Sequence, residues 1–176
     1  MIVEEKTLST ERIYEGAILN LRKDRVTVRE GKTSYREIIE HNGAVALAAV
    51  TNERELIMVR QFRKVAEKAV LEVPAGKVEP GEDPLEAAAR ELQEETGYTA
   101  GTLRFLACFY SSIGYSTEQI RLYLATDLTP GEMHLDDTEA IDVEKYDLEA
   151  MKQMAMQGKL EDGKTILAVL MADQLL

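Results

Sequence analysis

Residues 76–98 read GKVEPGEDPLEAAARELQEETGY, and the reading of this stretch decides the fold. It predicts a glycine-containing loop that runs into a short acidic helix. Asp83 is the expected N-cap, Pro84 suits the first helical position, and Glu86 sits where a D-x-x-E capping box would close. Leu85, Ala88, Ala89 and Leu92 recur at i, i+3, i+4 and i+7, which predicts one apolar stripe for a core. Gly97 stands where a left-handed C-terminal cap would be needed.

Glu91, Glu94 and Glu95 gather on a neighbouring arc of the same helix. Like charges one turn apart cost roughly 0.2–0.5 kcal/mol per pair, so three carboxylates on one arc need a cationic answer. Arg90 can reach Glu86 or Glu94 at i±4 but cannot neutralise all of them. Two readings stay open on these residues alone. One is a solvated glutamate-rich face. The other is a platform for a hard divalent cation such as Mg²⁺, which takes carboxylate and carbonyl oxygens, keeps waters and bridges to phosphates.

The wider spacing favours the second. Gly76, five residues, Glu82, seven residues, then Arg90-Glu91-Leu92-x-Glu94-Glu95-x-Gly97 resembles the signature of the Nudix hydrolase family, G-x5-E-x7-R-E-U-x-E-E-x-G-U with U a bulky aliphatic residue. Only the last position departs, where Tyr98 replaces the aliphatic.

Working outward, the chain of 176 residues suits one compact domain with a small appendage. A formal net charge of −11 argues against a nucleic-acid polymer as partner, since such proteins show a basic patch. It does not argue against a small nucleotide, because a bound metal and a few arginines reverse the field locally. Cys108 is the single cysteine, so no intramolecular disulfide forms, and its apolar run predicts a buried, inert thiol. No apolar run approaches the ~20 residues of a membrane span, and the charged N-terminus MIVEEKTLSTER is unlike a signal peptide. The expectation is a cytoplasmic protein with no membrane partner.

Upstream of the signature, short strands are predicted over residues 6–12, 19–29 and 34–40, with a turn at Glu30-Gly31-Lys32. The run GAVALAAV (43–50) suits a central strand, with 55–62 as its partner and 69–73 leading into the signature loop. Downstream, strands are expected over 102–110, 118–127 and 140–146, a polar connector over 111–117, an acidic loop over 130–139, and helices over 148–157 and 164–175. Met151, Met154 and Met156 are expected to fill core gaps. This order implies an α+β protein: a mixed β-sheet sandwiched between helices, preceded by an N-terminal antiparallel strand region. Residues 1–42 form that region and 43–176 the main domain, an α/β/α sandwich.

The resemblance extends beyond the signature. Glu72-Val73-Pro74-Ala75-Gly76, Gln61-Phe62-Arg63 and the strand region ending in Arg36-Glu37 look like the ADP-ribose pyrophosphatase branch of the family over nearly the whole chain. That likeness implies hydrolysis of ADP-ribose, or a related nucleoside diphosphate sugar, to AMP and ribose 5-phosphate. It also implies a homodimer whose N-terminal strands are exchanged between subunits. Carried over position by position, the metal ligands would be the carbonyl of Ala75 and the carboxylates of Glu91, Glu95 and Glu139, with Glu94 binding Mg²⁺ or Mn²⁺ directly or through water. Arg90 would hold the glutamates in place. The chemistry implied is attack on phosphorus by a water that the metal acidifies. The base that takes the proton would come from Asp137 or Glu139, with Asp136 a third candidate.

For substrate, the same likeness makes Arg63 a phosphate-binding residue and places Arg36 and Glu37 around the adenine. Ser112, Ile113, Gly114 and Glu118 would lie at the terminal ribose, and Lys77, His41 and Ile18 would complete the contacts. Ile113 stands where many relatives have proline, and Ala17-Ile18 where relatives present an aromatic to stack on adenine, a role open to Tyr14 or Tyr35. These departures leave GDP-mannose, FAD and dinucleoside polyphosphates as alternative substrates. A nucleotide-sensing domain without turnover is the alternative from another class.

Overall fold

The computed structural model describes residues 2–135 and 139–176, and divides into two compact units, 1–43 with 110–119 and 44–109 with 120–176. In the first unit, β1 (Thr7–Glu15), β2 (Asn20–Thr27) and β3 (Thr33–Glu40) form an antiparallel sheet in the order β1-β2-β3. A one-turn 3₁₀ segment, Arg29–Gly31, makes the predicted turn, with Glu30 and Gly31 both at positive φ. β1 is an edge strand exposed along its whole length, Leu8, Ile13 and Tyr14 included. The segment after Tyr110 is zipped to the end of β3: Ile39 N donates to Tyr115 O (2.8 Å) and Thr117 N to Ile39 O (2.9 Å).

The second unit is built on a seven-stranded mixed sheet of β4 (Ala44–Val50), β5 (Glu55–Arg63), β6 (Lys68–Glu72), β7 (Ala75–Lys77), β8 (Tyr98–Tyr110), β9 (Gln119–Pro130) and β10 (Ile141–Asp147). Its main path runs β10-β5-β4-β9-β8, with β4 and β9 parallel. β4 changes partner along one side: Ala49 and Val50 pair with β5, whereas Ala44 to Ala46 pair with the short β7. That switch brings the loop before the acidic helix to the centre of the sheet.

Strict alternation along β4 makes the sandwich. Ala46, Ala48 and Val50 pack with Leu56, Met58 and Leu122 against α2 (Leu148–Met156) and α3 (Gly163–Leu175). Val45, Leu47 and Ala49 pack with Ile57 and Tyr123 against α1 (Pro84–Thr96). Side chains of period two on a sheet covered on both faces give this division directly. No helix among the described residues is long and apolar enough to cross a membrane.

Three details differ from the sequence reading. Cys108 is exposed, because β8 lies at the edge of the sheet and one of its faces is open. Met151 is fully buried and Met154 packs against the core, but Met156, at the last turn of α2, is 70% exposed. β8 begins at Tyr98, directly after the helix cap, without an intervening loop.

Candidate active site

α1 starts as its sequence dictates. Asp83 caps it, accepting from Leu85 N, with Pro84 in the first turn, and Gly97 ends it at φ 74°, donating to Gln93 O. The reciprocal Glu86 half of a capping box is not formed among the described residues. The buried stripe is rotated from the predicted one. Leu85 is 45% exposed and Ala89 is also exposed, while Ala87, Ala88, Leu92, Glu95 and Thr96 are buried. A carboxylate therefore occupies a core-facing position.

Glu95 is only 4% exposed, and its Oε2 accepts from Ala75 N at 2.9 Å. Burial pushes its carboxyl up to about 8; the Ala75 bond opposes this, and the charges of Glu91 and Glu139 add to it. Glu91 is raised for the same leading reason, burial, with Arg90 pulling it down and Glu94 and Glu139 pushing it up. Four acidic groups, three from α1 and Glu139 from the loop after β9, thus form one set of interacting charges. That loop is tied to α1 by His134 N, which donates to Glu94 O at 3.0 Å.

Arg90 organises the rest. Its Nε and Nη2 grip Glu82 (2.9 and 3.1 Å), Nη1 donates to Glu91 Oε1 (2.9 Å) and Glu94 Oε2 (2.8 Å), and Nη2 also reaches Lys77 O (3.1 Å). Of its two possible i±4 partners it takes Glu94, and it serves two further carboxylates besides. A planar guanidinium can do this where a lysine could not. The signature glycine has an equally direct reason. A Cβ on Gly76 would lie 2.0 Å from Glu91 Cδ, so only glycine lets β7 pass that close to the carboxylate.

Arg63, at the end of β5, is held in a fork by Glu72, Nε to Oε1 at 2.5 Å and Nη2 to Oε2 at 2.8 Å. Glu95 acts on Arg63 electrostatically. The structure therefore brings Ala75, Arg90, Glu91, Glu94, Glu95 and Glu139 into one interacting set within the second unit, with Arg63 and Lys77 attached to it. Among the described residues no three His, Cys, Asp or Glu side chains already stand in metal-holding geometry. The carboxylates are instead engaged by Arg90 and by Ala75 N. Asp137 and Asp136 lie outside the described residues.

The other predicted substrate residues fall in the first unit. Arg36 bonds Glu5 (Nε to Oε2, 2.8 Å), Ser34 Oγ (3.2 Å) and Tyr35 O (2.8 Å), and Glu37 is exposed. His41 N donates to Thr117 Oγ1 (3.0 Å), and its Nδ1 accepts from Gly43 N (3.0 Å), 3.7 Å from Glu118. Ser112 O closes a tight turn by accepting from Tyr115 N (3.2 Å) and Ser116 N (2.9 Å). Ile113 and Gly114 project from it, and Ile18 is exposed.

Sequence reasoning missed Lys164 and Thr165 of α3, which reach Glu72 and Val73, and the α3 N-cap Asp162, which holds both of them. Only the capping pattern Asp162-x-x-Thr165 could have signalled them: Asp162 Oδ2 accepts from Thr165 N (3.0 Å) and Oγ1 (2.6 Å).

The NUDIX domain profile matches residues 40–169. The chain is 44% identical over 170 residues to the methanol dehydrogenase activator of Bacillus methanolicus, covering 96% of this chain and 92% of that protein. It is 43% identical over 169 residues to the ADP-ribose pyrophosphatase of Bacillus subtilis (strain 168), covering 95% and 91%. A crystal structure of an ADP compounds hydrolase shares the fold at a TM-score of 0.87 and 22% identity, over 100% of this chain and 96% of that one. A domain profile spanning most of the chain, and relatives above 40% identity along nearly all of it, show that the chain belongs to the Nudix family.

Proposed function

We propose that this Nudix enzyme hydrolyses the pyrophosphate of ADP-ribose to AMP and ribose 5-phosphate, with Mg²⁺ (or Mn²⁺) as cofactor. The observation that carries the reading is the acid pair of buried Glu95 and partly buried Glu91, pressed by Glu139 and raised by burial, beside Gly76, where a Cβ would collide with the Glu91 carboxylate. Drawing two mutually repelling carboxylates together, one of them out of water, is unfavourable for stability; a divalent cation relieves both costs. The near-full-length identity to the ADP-ribose pyrophosphatase of Bacillus subtilis supports the substrate.

Glu91, Glu94, Glu95, Glu139 and the carbonyl of Ala75 would hold the cation. When bound, such an ion acidifies water and offsets charge on phosphate oxygens. The chain's own residues do the remaining work. Arg90 keeps Glu91 and Glu94 aimed and apart. Glu139 or Asp137 takes the proton from the attacking water. Arg63, whose Nε and Nη2 are held by Glu72, presents Nη1, which has no hydrogen-bond partner among the described residues, to a phosphate. Arg36, Glu37, His41, Ile18, Ser112, Ile113, Gly114 and Glu118 contact the adenosine and terminal ribose, and Lys77 the pyrophosphate side. Residues 1–42 act as a substrate and dimerisation arm on the hydrolase domain 43–176, in a cytoplasmic homodimer that exchanges N-terminal strands. The exposed edge strand β1, with its apolar Leu8, Ile13 and Tyr14, supports the exchange.

The test is product analysis with ADP-ribose, GDP-mannose, FAD and a dinucleoside polyphosphate, each with Mg²⁺ and with EDTA. AMP formed from ADP-ribose only with metal, at the highest kcat/KM of the set, is expected. No metal-dependent cleavage of any of them would refute the reading. Light scattering on the intact chain and on one lacking β1 tests the dimer, which should dissociate without that strand.

A further inference from the structure

Glu72 is 3% exposed yet carries two cations. Arg63 forks onto both of its oxygens, and Lys164 Nζ, from the first turn of α3, lies against Oε2. Burial alone would push the Glu72 carboxyl up, but Arg63 and Lys164 outweigh it and hold the group below the usual carboxylate range. Lys164 in turn lies 3.0 Å from Asp162 Oδ2. Thr165, fully buried beside it, accepts from Val73 N at 2.9 Å through Oγ1. The start of α3 therefore grips residues 72 and 73 twice, by charge and by backbone, immediately ahead of the strand that carries Ala75 and Gly76.

Two cations and two carboxylates make this cluster neutral. Asp162 and Glu95 both attract Arg63 as well. Without Lys164 the cluster is negative, Asp162 loses its neighbouring cation, and Arg63 is drawn toward Asp162 as well as Glu72. We propose that Lys164 is a positioning residue for phosphate binding: by balancing Glu72 and Asp162 it keeps the Arg63 fork fixed and its Nη1 turned to the substrate. The proposal rests on the reading of Arg63 as the phosphate-holding group.

A double-mutant cycle of Arg63→Ala and Lys164→Met tests it, with kcat and KM for ADP-ribose, ADP-ribose affinity in EDTA by calorimetry, and Tm for every variant. Loss of an orienting partner typically costs about 10–100-fold, so Lys164→Met should lower kcat/KM at least about tenfold, mainly through KM, and weaken binding in EDTA alike. In the Arg63→Ala background it should have no further effect, and Lys164→Arg should restore most of the loss. An equal drop in both backgrounds, or none in either, overturns the proposal while leaving Arg63 as the phosphate group. Unchanged KM and affinity in Arg63→Ala alone would remove the reading of Arg63 itself, and the proposal with it. Should Lys164→Met not fold, Lys164→Gln carries the same test, since it removes the charge while keeping a polar donor at the start of α3.

Discussion

Replacing Gly76 by alanine separates the functional demands of the site from its stability. The added Cβ would stand 2.0 Å from Glu91 Cδ and 2.1 and 2.2 Å from its oxygens, where ordinary contact begins at 3.4 Å. The carboxylate must therefore retreat by about 1.4 Å, which it can do by turning its flexible side chain. Retreat breaks the 2.9 Å bond from Arg90, while Arg90 keeps Glu82 and Glu94. The stability cost is then about one charged hydrogen bond in a partly solvated site, roughly 1 kcal/mol or 2–4 °C in Tm for a domain of this size. The catalytic cost is much larger, because a displacement of about 1 Å in a reacting geometry loses on the order of 100-fold in rate. Thermal melts and kcat/KM with ADP-ribose, measured on the same protein, read both. Adding Glu91→Ala to Gly76→Ala should lower the Tm no further, because the bond from Arg90 to Glu91 is already lost, and should not restore activity. A Gly76→Ala enzyme within about threefold of the parent kcat/KM would refute the reasoning. So would a large loss of Tm that Glu91→Ala does not relieve.

Other outcomes follow from the same geometry. Arg90→Lys keeps the charge but loses the fork onto Glu82 and the bonds to Glu91 and Glu94, so activity should fall about 10–100-fold with a raised Mg²⁺ requirement, read from half-saturation curves. Glu95 is raised to about 8, so its contribution to stability is full at low pH and lost as pH rises through that value. In EDTA the parent protein should lose Tm toward mildly alkaline pH more than Glu95→Gln does, and Mg²⁺ should restore the parent only. Glu72 is shifted the other way, so its contribution is full near neutrality and lost as pH falls through and below the usual carboxylate range. In urea melts across that range, the stability gap between the parent and Glu72→Gln should narrow as the solution becomes acidic.

Local chemistry made much of this fold legible in the sequence. Asp83, Pro84 and Gly97 set the ends of α1 because caps depend on neighbouring residues, and the small-apolar run of β4 announced a strand covered on both faces. The phase of α1 was misjudged because pattern reading sends every glutamate outward, whereas Glu95 turns in to meet Ala75 N. Cys108 was expected to be buried because an apolar run does not reveal which strand lies at a sheet edge. The Arg90 hub joins residues within one short stretch, and its spacing carried the site. Arg63, Glu72 and Lys164 span strands and a helix far apart in the chain, so no local pattern could unite them. The same holds for His41, whose backbone partner Thr117 lies on a segment that returns to β3 only in the folded unit.

The most direct measurement is an anomalous-scattering map from crystals grown with Mn²⁺ and a non-hydrolysable ADP-ribose analogue. The expected result is an ion at ligand distance, about 2.0–2.3 Å for a hard divalent cation, from carboxylate oxygens of Glu91 and Glu95, touching the pyrophosphate. A bound analogue with no ion at these side chains, or with Glu91 and Glu95 still bonded only to Arg90 and Ala75 N, would contradict it.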